Sequence, residues 1–172
     1  MSFNARMSRA KIAEDAVKKF LTECGWQVSA NQFRSSLDEL HNNTLSLEGK
    51  TDIVSKFIRH FPDHIATKER SILIQTKYAQ AGYDFFTLEK DSFEALLLMT
   101  FPEQIWLIFY VAEENKFYAI TANVVSHEIK EKNLQAFSDH HGDGSGTPYY
   151  LIPRNIFLDT EAFKNVLSRS PT

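Results

Sequence analysis

Two hydrophobic periods alternate along the chain. Ile12, Ala16, Val17, Phe20 and Leu21 recur at three- and four-residue steps, the period of an amphipathic helix. Ser8 is a suitable N-cap for that helix, and Gly25 after Cys24 a suitable stop. Trp26, Gln27 and Val28 resume an extended pattern, whereas residues 31–46 are polar, with Leu37, Leu40 and His41 fitting either one helical face or a loop. Leu47 to Val54 reads as a strand containing Asp52, and Phe57, Ile58 and Phe61 continue it until Pro62 breaks the run. The polar residues Asp63 to Arg70 predict a turn or connection, and the compact apolar run Ser71 to Tyr78 predicts a central strand.

Beyond a break at Gly82, Asp91 or Ser92 can cap a helix bearing Phe93, Leu96, Leu97 and Phe101, ended by Pro102. Ile105 to Val111 predicts a buried strand, Glu113 to Lys116 a hairpin turn and Phe117 to Thr121 the returning strand. A short helix is expected over residues 127–135. Residues 138–146, holding three of the six glycines, predict a flexible loop. Tyr149 to Ile152 forms a last strand, and Asp159 or Thr160 caps a final helix carrying Phe163, Val166 and Leu167. The order is a mixed α/β pattern without internal repeats or an evident linker, so one domain over residues 1–172 is expected.

Composition narrows the class. At 172 residues, with 43% hydrophobic and 24% charged positions, the chain can bury a core and is not a disordered polymer. Its apolar stretches are too short for a transmembrane helix, so no membrane association is expected. No apolar signal segment precedes the first helix, and the single cysteine, Cys24, permits no internal disulfide or thiolate cluster; a cytoplasmic location fits. A net charge of -3 excludes a basic coat over the whole surface, although Lys11, Lys18, Lys19, Lys50, Lys56, Arg59, Lys68 and Arg70 gather in the first half.

The chemistry concentrates at Glu14, Asp52 and Gln75-Thr76-Lys77. Residues two apart in a strand project to one face, so Gln75 and Lys77 point together, and an adjacent strand can bring Asp52 beside them. Carboxylate and amide oxygens are hard ligands suited to Mg²⁺. A lysine next to such an ion can orient water or stabilise charge on a reacting phosphate. Glu14, at the border of the first helix's apolar face, can approach from the side, though Glu14 and Lys18 also form an ordinary i,i+4 pair. A rival set of Asp38, Glu48 and Lys50 carries Gly49 in mid-strand. His140 and His141 lie among glycines, and Pro62 separates His60 from His64, so neither pair makes a preformed metal site.

An early helix with Glu14, then Gly49-Lys50-Thr51-Asp52-Ile53-Val54, then an apolar strand ending Gln75-Thr76-Lys77, resembles the PD-(D/E)XK nuclease superfamily. That group includes restriction endonucleases, archaeal Holliday-junction resolvases and a cyanobacterial intron homing endonuclease. The resemblance spans about residues 8–121. It implies a restriction-endonuclease-like mixed central sheet flanked by helices, and hydrolysis of DNA phosphodiesters with Mg²⁺, for which Mn²⁺ can substitute. On it, Asp52, Gln75 and Glu14 are metal ligands, Lys77 is the catalytic lysine, and Lys18, Lys50 and Lys56 contact DNA. Thr51 replaces the motif's proline and Gln75 its second acidic residue. Residues 122–172 are expected to serve specificity or assembly. A double-strand cut needs two sites, hence a homodimer or higher oligomer. The alternative is an inactive nuclease-fold module that binds DNA or assembles with partners.

Overall fold

A computed structural model describes residues 3–30, 61–99, 104–138 and 147–169. The expected strand around Asp52, the loop at 139–146, and Phe101 and Pro102 lie outside the described residues. The elements in order are α1 (Phe3–Glu23), β1 (Gln27–Ala30), β2 (His64–Thr67), β3 (Ser71–Ala79), β4 (Phe85–Glu89), α2 (Lys90–Leu97), β5 (Ile105–Val111), β6 (Lys116–Thr121), α3 (Ala122–Glu131), β7 (Tyr149–Pro153), a 3-10 turn (Arg154–Ile156) and α4 (Thr160–Ser168). Among the described residues, five strands form a mixed sheet in the order β1-β2-β3-β5-β6, in which only β3 and β5 are parallel. β4 and β7 pair antiparallel as a separate two-stranded sheet.

The strands at the centre are covered on both faces, which is why β5 reads Ile-Trp-Leu-Ile-Phe-Tyr-Val without alternation. On one face Val17, Phe20 and Leu21 of α1 and Phe163 and Leu167 of α4 pack with Ile72, Ile74, Trp106 and Ile108. On the other, Phe93 and Leu96 of α2, Val125 of α3 and Phe86, Leu88 and Ile152 of the small sheet pack with Leu107, Phe109 and Ile120. Residues 149–168 therefore supply part of both cores, beyond any role at the surface.

The end of α1 follows from Gly25. Its φ of +82° takes the left-handed conformation, with Gly25 N–H bonding Thr22 O at 2.9 Å and Trp26 N–H bonding Leu21 O at 3.0 Å. This double closure satisfies carbonyls that the last turn would leave open. At α4 the Asp159 carboxylate accepts the Ala162 N–H at 2.9 Å, the cap expected from sequence.

Four local expectations need correction. Asp63 to Arg70 is not wholly a connection: residues 64–67 form β2, antiparallel to both β1 and β3. β4, unforeseen, runs directly into α2, whose cap is Glu89 and not Asp91 or Ser92. α1 begins ahead of Ser8, at Phe3. The helix expected at 127–135 occupies Ala122–Glu131, starting where β6 ends.

Candidate functional site

The β2–β3 register pairs His64 with Ile74, so the next position, Asp63, lies opposite Gln75. Cross-strand partners share a face. The Asp63 carboxylate accepts the Gln75 Nε2–H at 2.8 Å and the Thr76 backbone N–H at 2.7 Å, both on Oδ2. Asp63 thus takes over the ladder bond to Thr76 where β2 stops. Asp63 and Gln75 are 8% and 7% exposed, so these bonds form largely out of water.

A carboxylate oxygen accepts and the amide NH₂ donates, which fixes the orientation of the Gln75 side chain. Its carbonyl Oε1 therefore points away from Asp63 Oδ2. Oε1 is buried and has no hydrogen-bond partner among the described residues. A buried acceptor left this way costs about 1–3 kcal/mol. It is a hard-oxygen donor near a carboxylate, the donor types that suit a divalent cation such as Mg²⁺, but sharing one ion with Asp63 requires the amide to turn and give up the 2.8 Å bond. Among the described residues no group of three or more His, Cys, Asp or Glu side chains could hold a metal ion, so the pair would leave most coordination positions to water, substrate or other residues.

Lys77 projects on the same face as Gln75, half-buried, and pairs in register with Phe109 of β5. The two residues of the expected Gln-x-Lys element are therefore on one surface. Asp52, Lys50 and Lys56 lie outside the described residues. Glu14 is half-buried on α1 and Lys18 is exposed on it. α1 packs on the Ile72–Ile74 face of β3, opposite to Gln75 and Lys77, with the Arg9 guanidinium 5.4 Å from the centre of the Tyr78 ring.

Sequence reasoning missed Asp63. The available signal was the literal Pro62-Asp63 dipeptide ahead of Gln75-Thr76-Lys77, read instead as a strand break followed by a turn. Pro62 is itself buried. Cys24, by contrast, has no place in this chemistry: burial pushes its thiol above the usual range, only partly offset by Lys164.

The fold has a solved counterpart. The fold is similar to that of D212, a nuclease from a fusselovirus, with a TM-score of 0.54 and 13% sequence identity, over 98% of this chain and 94% of that one. The mixed α/β architecture, a mixed sheet flanked by helices, is thus one that a nuclease uses. No family model and no curated protein matches the sequence. Among the described residues no helix is long and apolar enough to cross a membrane.

Proposed function

We propose that the chain is a metal-dependent endodeoxyribonuclease of the PD-(D/E)XK type, with Asp63, Gln75 and Lys77 at its centre. The observation that carries this reading is the buried hydrogen bond from Gln75 to Asp63, with Lys77 on the same face. The similarity in fold to a fusselovirus nuclease supports it.

Asp63 and the Gln75 carbonyl would hold Mg²⁺ or Mn²⁺ once the Gln75 amide turns its oxygen toward Asp63 in place of the 2.8 Å hydrogen bond. Such an ion, when bound, polarises a phosphate and lowers the pKa of a coordinated water. Lys77 would donate to a non-bridging oxygen of the scissile phosphate, countering the negative charge that builds as water attacks phosphorus and the alkoxide leaves. Gln75 contributes no charge, so one carboxylate alone attracts the ion. Glu14, the helical acid of the resemblance, would have to reach past the end of β2 from the opposite face of β3, with Asp52 as the competing acid. Lys18, Lys50 and Lys56 would contact backbone phosphates. One site makes one cut, so cleavage of both strands requires a homodimer or higher oligomer. An inactive DNA-binding module is the second reading; it is favoured by Gln75 standing where a second negative charge would strengthen metal binding.

Cleavage of plasmid and branched DNA with Mg²⁺ or Mn²⁺ tests both. Wild type should nick, with Asp63→Asn and Lys77→Met each slowing the reaction by on the order of 10²-fold or more. Loss on Asp52→Asn with retention on Asp63→Asn would move the metal site to Asp52. DNA binding without cleavage at any metal concentration would leave the inactive module.

A further inference from the structure

Beside Lys77 the surface opens into a cleft of about 500 Å³. Its walls include Arg9 from α1, Tyr78 from β3, Tyr83 from the β3–β4 segment, Phe85 from β4, Phe109 from β5 and Tyr149 from β7. Three features set it apart. Most aromatic rings described here are packed into the two cores, yet Tyr83 is 61% and Phe85 48% exposed. The cleft borders the candidate site, because Phe109 in its wall is the register partner of Lys77. Its lining carries one charge, the Arg9 cation, and no carboxylate, although the whole chain is acidic.

Aromatic faces beside a cation suit a flat π-system attached to an anion. A nucleobase with its phosphate has that chemistry. In a duplex the faces of the bases are covered by their neighbours, so only an unstacked base can lie against a protein ring. We infer that this cleft receives an unstacked nucleobase, so that the substrate carries unpaired nucleotides next to the cut: a fork, flap or single-stranded end, in preference to continuous duplex. Tyr83 and Phe85 supply the stacking surface, and Arg9, held over Tyr78, contacts the adjoining phosphate. The position of the cut rests on the nuclease reading above; base binding in the cleft does not.

The test measures affinity and cleavage separately. Fluorescently labelled forked, single-stranded and fully paired oligonucleotides are titrated with wild type and with Tyr83→Ala/Phe85→Ala, without metal, by anisotropy. The same DNAs are then incubated with Mn²⁺. Both rings are exposed, so the variant should keep its melting temperature. Wild type should bind forked and single-stranded DNA more tightly than duplex. The variant should lose about 5- to 150-fold on those DNAs, the range spanned by stacking one base, and little on duplex. Replacing the unpaired nucleotides next to the fork with abasic ones should weaken wild type and leave the variant unchanged. Equal affinity of wild type for all three DNAs, or an unchanged variant, overturns the inference even if Mn²⁺ cleavage proceeds. Fork-selective binding lost in the variant, with no cleavage, upholds the base cleft and overturns the nuclease reading.

Discussion

Gln75 donates its amide N–H to the carboxylate of Asp63 at 2.8 Å, so the carboxylate is held by a neutral donor and not by an opposite charge. Both residues are buried, and the Gln75 carbonyl beyond them lacks a partner among the described residues. On the metal-binding reading, the hydrogen bond holds the two side chains together without an ion, at the expense of attraction for one. Gln75→Glu should reverse the balance. Two carboxylates then face each other, and the charge-assisted bond is lost, at a cost of about 1.5–3 kcal/mol. For a chain of this size that is a fall in melting temperature of roughly 3–12 °C in EDTA. Mg²⁺ should restore it by binding the native state, with a concentration dependence steeper than in wild type. Calorimetry with and without the ion checks this, and an unchanged melting temperature in EDTA would mean that the 2.8 Å contact is not made in solution.

Gly25→Ala tests the turn that sends the chain from α1 into β1. The space around Gly25 is open, the nearest atoms to an added Cβ being the end of the Lys68 side chain at 3.8 Å. The cost is therefore conformational: a φ of +82° is strained for alanine by about 1–2 kcal/mol. Denaturant titration should show that loss with an unchanged slope. An effect below about 0.5 kcal/mol would mean that the helix ends differently.

Phe163→Ala addresses the C-terminal segment. Phe163 is fully buried, 5.0 Å from the Trp106 ring and 5.8 Å from Phe20 by centroids, so α4 completes the same core as α1. Truncation should cost about 3–5 kcal/mol. A chain with an independent nuclease core would lose less than 1 kcal/mol, as for a surface tail.

What was legible in the sequence was what local pattern alone determines. Ile72–Ile74 of β3 and Ile105–Val111 of β5 are continuous apolar runs because these strands are paired on both sides and covered on both faces. Gly25 and Asp159 announced helix ends through chemistry confined to one turn. Gln75 and Lys77 could be placed on one face because strand periodicity is local. Asp63 could not, because its partnership with Gln75 depends on the β2–β3 register. β2 itself is only His-Ile-Ala-Thr, with no strong apolar signal and a proline two residues before it. β4 was hidden for a different reason: Phe85–Glu89 passes into α2 at Lys90 without a breaking residue, so two periods run together. Its partner β7 is remote in sequence, and that pairing, rather than propensity, makes β4 a strand.

The small sheet that walls the aromatic cleft is fastened by Arg154. Its guanidinium donates to Glu114 at 2.6 Å and to the Tyr118 hydroxyl, and lies 4.1 Å above the Tyr118 ring. Because Arg154 follows β7 while Glu114 and Tyr118 belong to the β5–β6 hairpin, the contact ties the two sheets together. The hydrogen bond from Arg154, aided by Tyr118, holds the Glu114 carboxyl below its ordinary value of 4.5. A depressed folded-state value means stability that is present above the unfolded-state value and is lost as pH falls through the folded one. Arg154→Met keeps the packing stem and removes the charge. At pH 7 it should cost about 1 kcal/mol, given the partial exposure of the pair, or roughly 2–4 °C in melting temperature. The gap between wild type and variant should narrow as pH falls below about 4.5. A gap that stays constant down to pH 3 would assign the role of Arg154 to its contact with the Tyr118 ring. In the neutral range the same variant should bind forked DNA less tightly than wild type, since Phe85 and Tyr149 of the cleft stand on the sheet that Arg154 secures.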